Sequence, residues 1–211
     1  MKKFLLSLAV LSALFVLSCG NNNSSDAAHD EHDHDAATST NGEHATSEAE
    51  KEIPVVAVQF TGIDGKVSAT IKQMVDGYLE VKNALVAGKA ADAAKGANNI
   101  RTAMKGMDKS LMTAEQKSAY DAAEAKLSAA AEAIATAETS LSEQRNQFYP
   151  ISQGIYQLVK AFGGGRPLYH DHCPMARDNQ GALWISETKE VRNPYFGDEM
   201  LTCGTVEEII Q

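Results

Sequence analysis

Apolar residues recur at three- and four-residue steps through most of residues 66–162, and this spacing predicts four amphipathic helices. The first predicted helix begins at Lys66 and stops before Gly88, a residue type that favours helix ends. The second ends near Asp108, and the capping box Thr113-Ala-Glu-Gln116 then starts the third. The predicted buried faces of the first two helices contain Val67, Ile71, Met74, Val75, Tyr78 and Leu85, followed by Ala93, Ala97, Ile100, Met104 and Met107.

The third predicted helix has the most regular pattern in the chain. Large residues recur every seven positions, and an alanine follows three positions after each of the first three, which predicts a close-packed helix seam. Ser140 caps the fourth helix, Pro150 is predicted to kink it, and Gly163 ends it. The two buried faces comprise Tyr120, Ala123, Leu127, Ala130, Ile134, Ala137 and Leu141, and then Phe148, Ile151, Ile155, Leu158 and Phe162.

Short loops between these helices predict an all-α fold, an antiparallel four-helix bundle over residues 53–165. Residues 166–211 differ in character, because they contain the only tryptophan, two of the three cysteines and the turn-forming, aromatic run Asn193-Pro-Tyr-Phe-Gly197. This C-terminal segment is predicted to be irregular but ordered, and to pack on the bundle.

The first 18 residues have the pattern of a cleavable signal peptide. Lys2 and Lys3 precede an apolar run from Phe4 to Leu17, which is shorter than an ordinary membrane-spanning helix. Val16-Leu-Ser-Cys19 then matches the pattern that lipoprotein signal peptidase reads, so Cys19 is predicted to be the lipidated first residue of the mature protein. The protein is therefore expected in the cell envelope, held to a membrane by acyl chains and facing the periplasm or in the outer membrane. An uncleaved N-terminal anchor is the alternative.

Residues 19–52 are predicted to form a disordered tether between the lipid and the folded domain. Residues 20–52 contain nine acidic residues against one basic residue, Lys51. They contain no large apolar side chain, so the segment is not expected to form a core. Its imidazoles either gather metal loosely or belong to a merely soluble spacer; they are His29, His32, His34 and His44. The rest of the mature chain is nearly neutral and has no basic stripe, which argues against nucleic-acid binding.

A candidate metal site lies in the C-terminal segment. Cys173 and Cys203 each have a methionine within three positions, and His172 directly precedes the first cysteine. Thiolate, thioether and imidazole form a donor set that suits Cu(I), with other soft or borderline metals as alternatives. The predicted ligands are Cys173, Met175, Met200 and Cys203, with His172 as an additional ligand and His170 ranked below it. Two cysteines outside the cytoplasm are equally compatible with a Cys173–Cys203 disulfide and no metal.

The sequence contains no convincing catalytic constellation, so the protein is predicted not to be an enzyme. His172 adjoins Cys173, but neighbours in an extended chain usually point apart, and a base must reach its nucleophile in space. Gly163-Gly-Gly-Arg166 lacks the strand, lysine and hydroxyl residue of a phosphate-binding loop. The CxxC motif expected of a thiol–disulfide enzyme is also missing from the sequence.

Several short motifs stand out between about Val67 and the C-terminus. They are Phe148-Tyr-Pro150-Ile-Ser152, Leu168-Tyr169, His172-Cys-Pro-Met-Ala176, Gly181-Ala-Leu-Trp184-Ile-Ser186, Asn193-Pro-Tyr-Phe-Gly197 and Met200-Leu-Thr-Cys-Gly204. This set resembles a bacterial periplasmic family catalogued as a domain of unknown function, number three-three-four-seven. Such domains occur as small lipoproteins and fused to periplasmic adaptor subunits of heavy-metal efflux pumps.

The occurrence of similar domains in these proteins implies copper or a related soft metal as cargo, and an efflux adaptor or a metallochaperone as partner. Together with the candidate ligands, the resemblance predicts a lipoprotein that handles copper, either by buffering it or by passing it to an efflux system. A structural or interaction lipoprotein whose two cysteines form a disulfide is the alternative function.

Overall fold

The computed structural model describes residues 52–211, in which a helical layer is followed by a small sheet. The predictions for the signal peptide, for Cys19 and for His29, His32, His34 and His44 lie outside these described residues. Among the helices of the described range, none is long and apolar enough to cross a membrane.

Four long helices occupy the positions that the apolar spacing predicts. They are α1 (Gly65–Val86), α2 (Ala90–Lys105), α3 (Ala114–Thr136) and α4 (Leu141–Phe162). Each helix packs against the next, and α1 also contacts α4, so the four helices form a bundle. α4 continues through Pro150, and a single 3₁₀ turn at Lys109–Leu111 precedes α3.

Side-chain caps fix the start of three of these helices. The Asp64 carboxylate, which the sequence analysis did not single out, accepts hydrogen bonds of 2.8 and 3.4 Å from N–H groups in the first turn of α1. The capping box of α3 is confirmed: Thr113 and Gln116 exchange side-chain-to-backbone hydrogen bonds of 3.1 and 3.2 Å. Ser140 caps α4 as predicted, and Gly163, with φ of 77°, follows its last residue.

The predicted seams form the core of the helical layer. Every residue assigned to a buried face is buried except Met104, Met107 and Leu141, which are partly buried and still pack against the core. Two close approaches depend on glycine. A Cβ at Gly96 of α2 would lie 2.8 Å from the carbonyl oxygen of Gly77 in α1, and a Cβ at Gly154 of α4 would lie 2.7 Å from Leu127 in α3.

A four-stranded mixed sheet completes the described structure. Its strands are β1 (Val55–Val56), β2 (Leu168–Cys173), β3 (Ala182–Ser186) and β4 (Thr205–Ile210), in the order β1-β4-β2-β3. β2 is antiparallel to both β3 and β4, and β1 is parallel to β4. An irregularity in the β2–β4 register between His170 and Asp171 interrupts the usual alternation, so these consecutive side chains are both buried.

The predicted all-α fold is therefore wrong, because three of the four strands come from the segment 166–211 that was expected to be irregular. β3, Ala-Leu-Trp-Ile-Ser, is a short apolar run, which periodicity alone does not distinguish from other buried segments. β2 is rich in polar residues, and β4 contains two consecutive glutamates, so neither strand has a simple two-residue period. Buried residues of the sheet and of the helices share one hydrophobic core.

Candidate metal site

Strand pairing brings the two cysteines of the C-terminal segment together. Cys173 is the last residue of β2, and His172 before it pairs with Thr205 at the start of β4. Cys203 lies two residues ahead of Thr205, and its thiol is close enough to the thiol of Cys173 for the two groups to influence each other. Cys173 is buried and Cys203 is partly buried, and both are free thiols in this structure. Two segments 30 residues apart in sequence thus contribute one sulfur atom each to a single site.

The environment of this thiol pair opposes negative charge. Burial and the adjacent thiol of Cys173 together raise the pKa of Cys203 to about 11. Thiolate is the metal-binding and nucleophilic form of cysteine, so the raised pKa makes this form of Cys203 scarcer near neutral pH. A cation bound between the two sulfurs would favour the thiolate form, because its positive charge would compensate the negative charge that burial disfavours.

Asn193 holds the turn that carries Cys203. Its side-chain N–H donates to the carbonyl oxygen of Cys203 at 2.8 Å, and its backbone N–H donates to the carbonyl oxygen of Leu201 at 2.7 Å. Its own side-chain oxygen accepts from the N–H of Tyr195 at 2.8 Å. Asn193 is fully buried, so this network fixes the second half of the thiol pair.

Gly204 lets the chain leave Cys203 toward β4. Its φ is 140°, and a Cβ there would lie 2.7 Å from the indole ring of Trp184 and 3.1 Å from the carbonyl oxygen of His172. In the sequence, Asn193 stands out only as part of the turn-forming run 193–197. The motif Met200-Leu-Thr-Cys-Gly204 already held the signal for a tight bend at this glycine.

A left-handed turn follows Cys173 on the other side of the site. Residues Ala176–Asn179 form a one-turn helix, α5, and its Arg177, Asp178 and Asn179 have φ between 56° and 63°. This is an unusual conformation for three consecutive residues with side chains. The Arg177 guanidinium lies over the Tyr149 ring of α4, 3.7 Å from its centroid, which ties the turn to the helical layer.

The two predicted thioether ligands differ in their surroundings. Met175 has 48% of its surface exposed, although it stands only two residues after the buried Cys173. Met200 is partly buried, and its carbonyl oxygen accepts the N–H of Cys203 at 3.1 Å, so the two residues share one turn. Both methionines are therefore close to the thiol pair along the backbone, one at the surface and one within the turn.

The two histidines of β2 face glutamates of β4. His172 Nδ1 lies 3.3 Å from a Glu207 carboxylate oxygen, and His170 Nδ1 lies 3.7 Å from carboxylate oxygens of both Glu207 and Glu208. The buried His170 ring also stacks on Tyr156 of α4 with centroids 4.5 Å apart. Burial lowers the pKa of His170, against the opposing effect of the two carboxylates.

Asp171 is a buried polar residue that the sequence analysis did not identify. Within the described residues neither of its carboxylate oxygens has a hydrogen-bond partner, and burial raises its pKa to about 8. Trp184 lies directly opposite it on β3, and the indole N–H is likewise unpaired. In the sequence, the polar run His170-Asp-His172 is typical of residues that face solvent or bind a ligand. The burial of Asp171 becomes apparent only from the register irregularity between β2 and β4.

The thiol pair does not belong to a larger cluster of hard or borderline ligands. In the part of the chain that the structure describes, no three side chains of the His, Cys, Asp or Glu types are grouped so that they could hold a metal ion. A four-ligand zinc site therefore does not fit these residues. Two thiols fit Cu(I), which accepts as few as two sulfur donors and prefers thiolate and thioether ligands.

Comparison with known protein families finds a match in the helical layer. Residues 74–166 are similar to the family model described as "Protein of unknown function (DUF3347)", which supports the resemblance drawn from the sequence over this stretch. The match runs from Met74 in α1 to Arg166 and ends before β2, whereas the cysteine motifs lie beyond it. No curated protein and no solved structure matches the chain.

Proposed function

We propose that this protein binds Cu(I) between Cys173 and Cys203 and handles copper in the cell envelope. The observation that carries the proposal is the contact between the two thiols, which come from opposite ends of the C-terminal segment and meet at the end of the β2–β4 pair. A disulfide needs the same proximity, and a structural disulfide without metal is the competing function.

The low polarity of the site favours a soft monovalent cation. Burial, and secondly the neighbouring Cys173 thiol, raise the pKa of Cys203, so two thiolates in this site would be costly without a cation. Cu(I) binding would release protons from the thiols and replace them with sulfur–metal bonds, so affinity should rise with pH. One positive charge between two thiolates leaves a single net negative charge, which costs less to bury than two.

The methionines supply secondary donors in this proposal. Met200 shares the turn of Cys203, and Met175 follows Cys173 at the surface, so each thiol has a thioether neighbour on its own segment. His172 is a less suitable donor in the observed arrangement, because its Nδ1 faces Glu207 and its ring lies close to Gly181. The exposed Met175 is the donor best placed to meet incoming metal.

The cellular role follows from the predictions for the N-terminal residues. A lipidated Cys19 and an acidic, histidine-containing tether would hold the domain beside a membrane, where it would buffer Cu(I) or pass it to an efflux adaptor or metallochaperone. The description of the matched family names no function. Support for this role therefore comes from the resemblance to envelope proteins of metal efflux that the sequence motifs indicate.

Anaerobic titration tests the proposal directly. Detergent-extracted protein, fully reduced and freed of metal, is titrated with Cu(I) in the presence of a competing Cu(I) chelator. We expect one equivalent to be retained by the wild type, and retention to be lost in Cys173→Ser and in Cys203→Ser. Thr202→Ser is the matched control, since it alters an exposed side chain in the same turn without removing a sulfur, and it should bind as the wild type does.

Substitutions of methionine by leucine distinguish the effect of losing a thioether ligand from the effect of losing side-chain packing. Met200→Leu and Met175→Leu keep most of the side-chain volume while removing the thioether, and they should weaken Cu(I) binding while changing stability by less than about 1.5 kcal/mol. Met112→Leu, at a partly buried methionine before α3, is the control. Absence of Cu(I) uptake by reduced wild type, together with a disulfide in protein isolated without reductant, would establish the structural function instead.

A further inference from the structure

We propose that Cys203 is a modification site at which external disulfides enter the thiol pair, and that Cys173 then closes an internal disulfide. The consequence for copper rests on the proposed function, because a closed Cys173–Cys203 bridge has no thiolate left to bind Cu(I). The reactive order of the two cysteines, by contrast, rests on the structure alone.

The two thiols differ in their access to solvent. Cys173 has no exposed surface, because it ends β2 beneath the sheet and belongs to the central core. Cys203 is partly exposed, and its neighbour Thr202 in the same turn is exposed. Of the two residues, only Cys203 presents surface to an external disulfide, whereas Cys173 is reached only if the strand separates.

The contact between the thiols supplies the second step. The pairing of His172 with Thr205 brings the end of β2 beside the start of β4, so a mixed disulfide on Cys203 would form near the thiol of Cys173. The turn around Cys203 is held by the buried Asn193, which keeps this sulfur at the end of the β2–β4 pair. Cys173 thus has the position of a resolving cysteine, and Cys203 that of the cysteine attacked first.

The chemistry balances with a disulfide as the oxidant. The Cys203 thiolate attacks one sulfur of the external disulfide, forms a mixed disulfide and releases the first external thiolate. The Cys173 thiolate then attacks the Cys203 sulfur, forms the internal bond and releases the second external thiolate. Two protons leave the protein thiols, and two electrons reduce one external disulfide to two thiols. Glutathione disulfide or an oxidised envelope dithiol protein belongs to the required chemical class.

Trapping with glutathione disulfide tests the order of the two steps. Reduced Cys173→Ser protein should accumulate a mixed disulfide at Cys203, detected by intact mass and peptide mapping. Cys203→Ser protein should form one at Cys173 slower by a factor on the order of ten or more, because a buried thiol reacts only through local opening. The wild type should pass to the internal disulfide and retain no glutathione.

A measurement on the wild type keeps the proposal independent of the variants' folding. Brief alkylation of the reduced protein with iodoacetamide, followed by peptide mapping, should label Cys203 ahead of Cys173. Equal labelling, or glutathione captured first by Cys173, would overturn the proposal. Adding one equivalent of Cu(I) before glutathione disulfide should block both steps.

The two proposals fail in distinguishable ways. If Cys203 is modified first but reduced protein takes up no Cu(I), the copper function is wrong and the modification site stands. If Cu(I) binds but the thiols react at equal rates, the entry role of Cys203 is wrong and the copper function stands.

Discussion

Asp171 is the residue whose burial has the largest predictable effect on stability. Its folded-state pKa of about 8 lies well above its ordinary value of 3.8, so the folded protein keeps this proton over a range in which the unfolded chain has lost it. Stability from this residue is therefore present in full below about pH 4 and is lost as the pH rises toward 8. Above that pH both states are ionised, and the loss stops growing.

Replacement of Asp171 by asparagine should remove this pH dependence. The difference between the two pKa values corresponds to roughly 6 kcal/mol at most, so Asp171→Asn should gain several kcal/mol relative to the wild type between pH 5 and pH 8. Urea unfolding of both metal-free, reduced proteins across this range measures the effect. A constant difference in unfolding free energy between them would show that the buried carboxyl group is paired and ionised.

At the residue scale, the cysteine pair was accessible to sequence reasoning and the aspartate was not. Two cysteines that each have a methionine neighbour indicate a common site in any fold. In the structure the free thiols of Cys173 and Cys203 do lie next to each other. The burial of Asp171 depends on one register irregularity between β2 and β4, which no local pattern records. The contact between His172 and Glu207 also depends on strand pairing, since the two residues lie on neighbouring strands.

Among the helices, the contact between α1 and α2 depends on two glycines. A Cβ at Gly96 would lie 2.8 Å from two backbone atoms, the oxygen of Gly77 and the nitrogen of Val81. Backbone cannot yield as a side chain does, so Gly96→Ala should destabilise the protein by about 1–3 kcal/mol despite the better helix propensity of alanine. The control is Gly106→Ala at the end of α2, where the nearest atom is 3.5 Å away. Equal unfolding midpoints for the two variants would contradict this account.

The contact between α3 and α4 is suited to a double-mutant cycle. Leu127 packs against Gly154, where a Cβ would lie 2.7 Å from the leucine side chain. Leu127→Ala should cost about 2–5 kcal/mol through the cavity it leaves, and Gly154→Ala should cost about 1–3 kcal/mol through overpacking. The double variant should cost less than the sum, because the added methyl group enters the vacated space. Strict additivity of the measured free energies would mean that the two side chains do not share this space.

The helices and the sheet also differ in how far sequence could predict them. A buried helical face repeats over five or six turns, so Tyr120, Leu127 and Ile134 reinforce one another as evidence. The strands of the sheet have at most six residues, and pairing between β2 and β4 joins residues more than 30 positions apart. Such pairing is a property of the folded chain and leaves little trace in any one segment.

For the whole molecule, the boundary between tether and domain should be visible to proteases. The composition of residues 20–52 predicts that cleavage occurs there first. From Pro54 onward the backbone is held, since Pro54 accepts a hydrogen bond from Ile209, and the N–H groups of Gln59 and Phe60 donate to α4 carbonyls. Limited proteolysis should leave a stable fragment that begins near Ile53, identified by N-terminal sequencing and mass. Initial cleavage inside the region 65–211 would contradict this boundary.

The pairing of β1 with β4 has a mechanical consequence. Any pull that reaches the domain through residue 52 acts first on Pro54 and Val56, whose carbonyl oxygens accept hydrogen bonds of 2.9 and 3.0 Å from the N–H groups of Ile209 and Gln211. In a parallel pair such a pull along the strand loads these bonds in shear and passes the tension into β4. β1 pairs with the C-terminal end of β4, whereas Cys203 precedes the first residue of β4, so tension that enters through β1 would reach the thiol pair only along the length of β4.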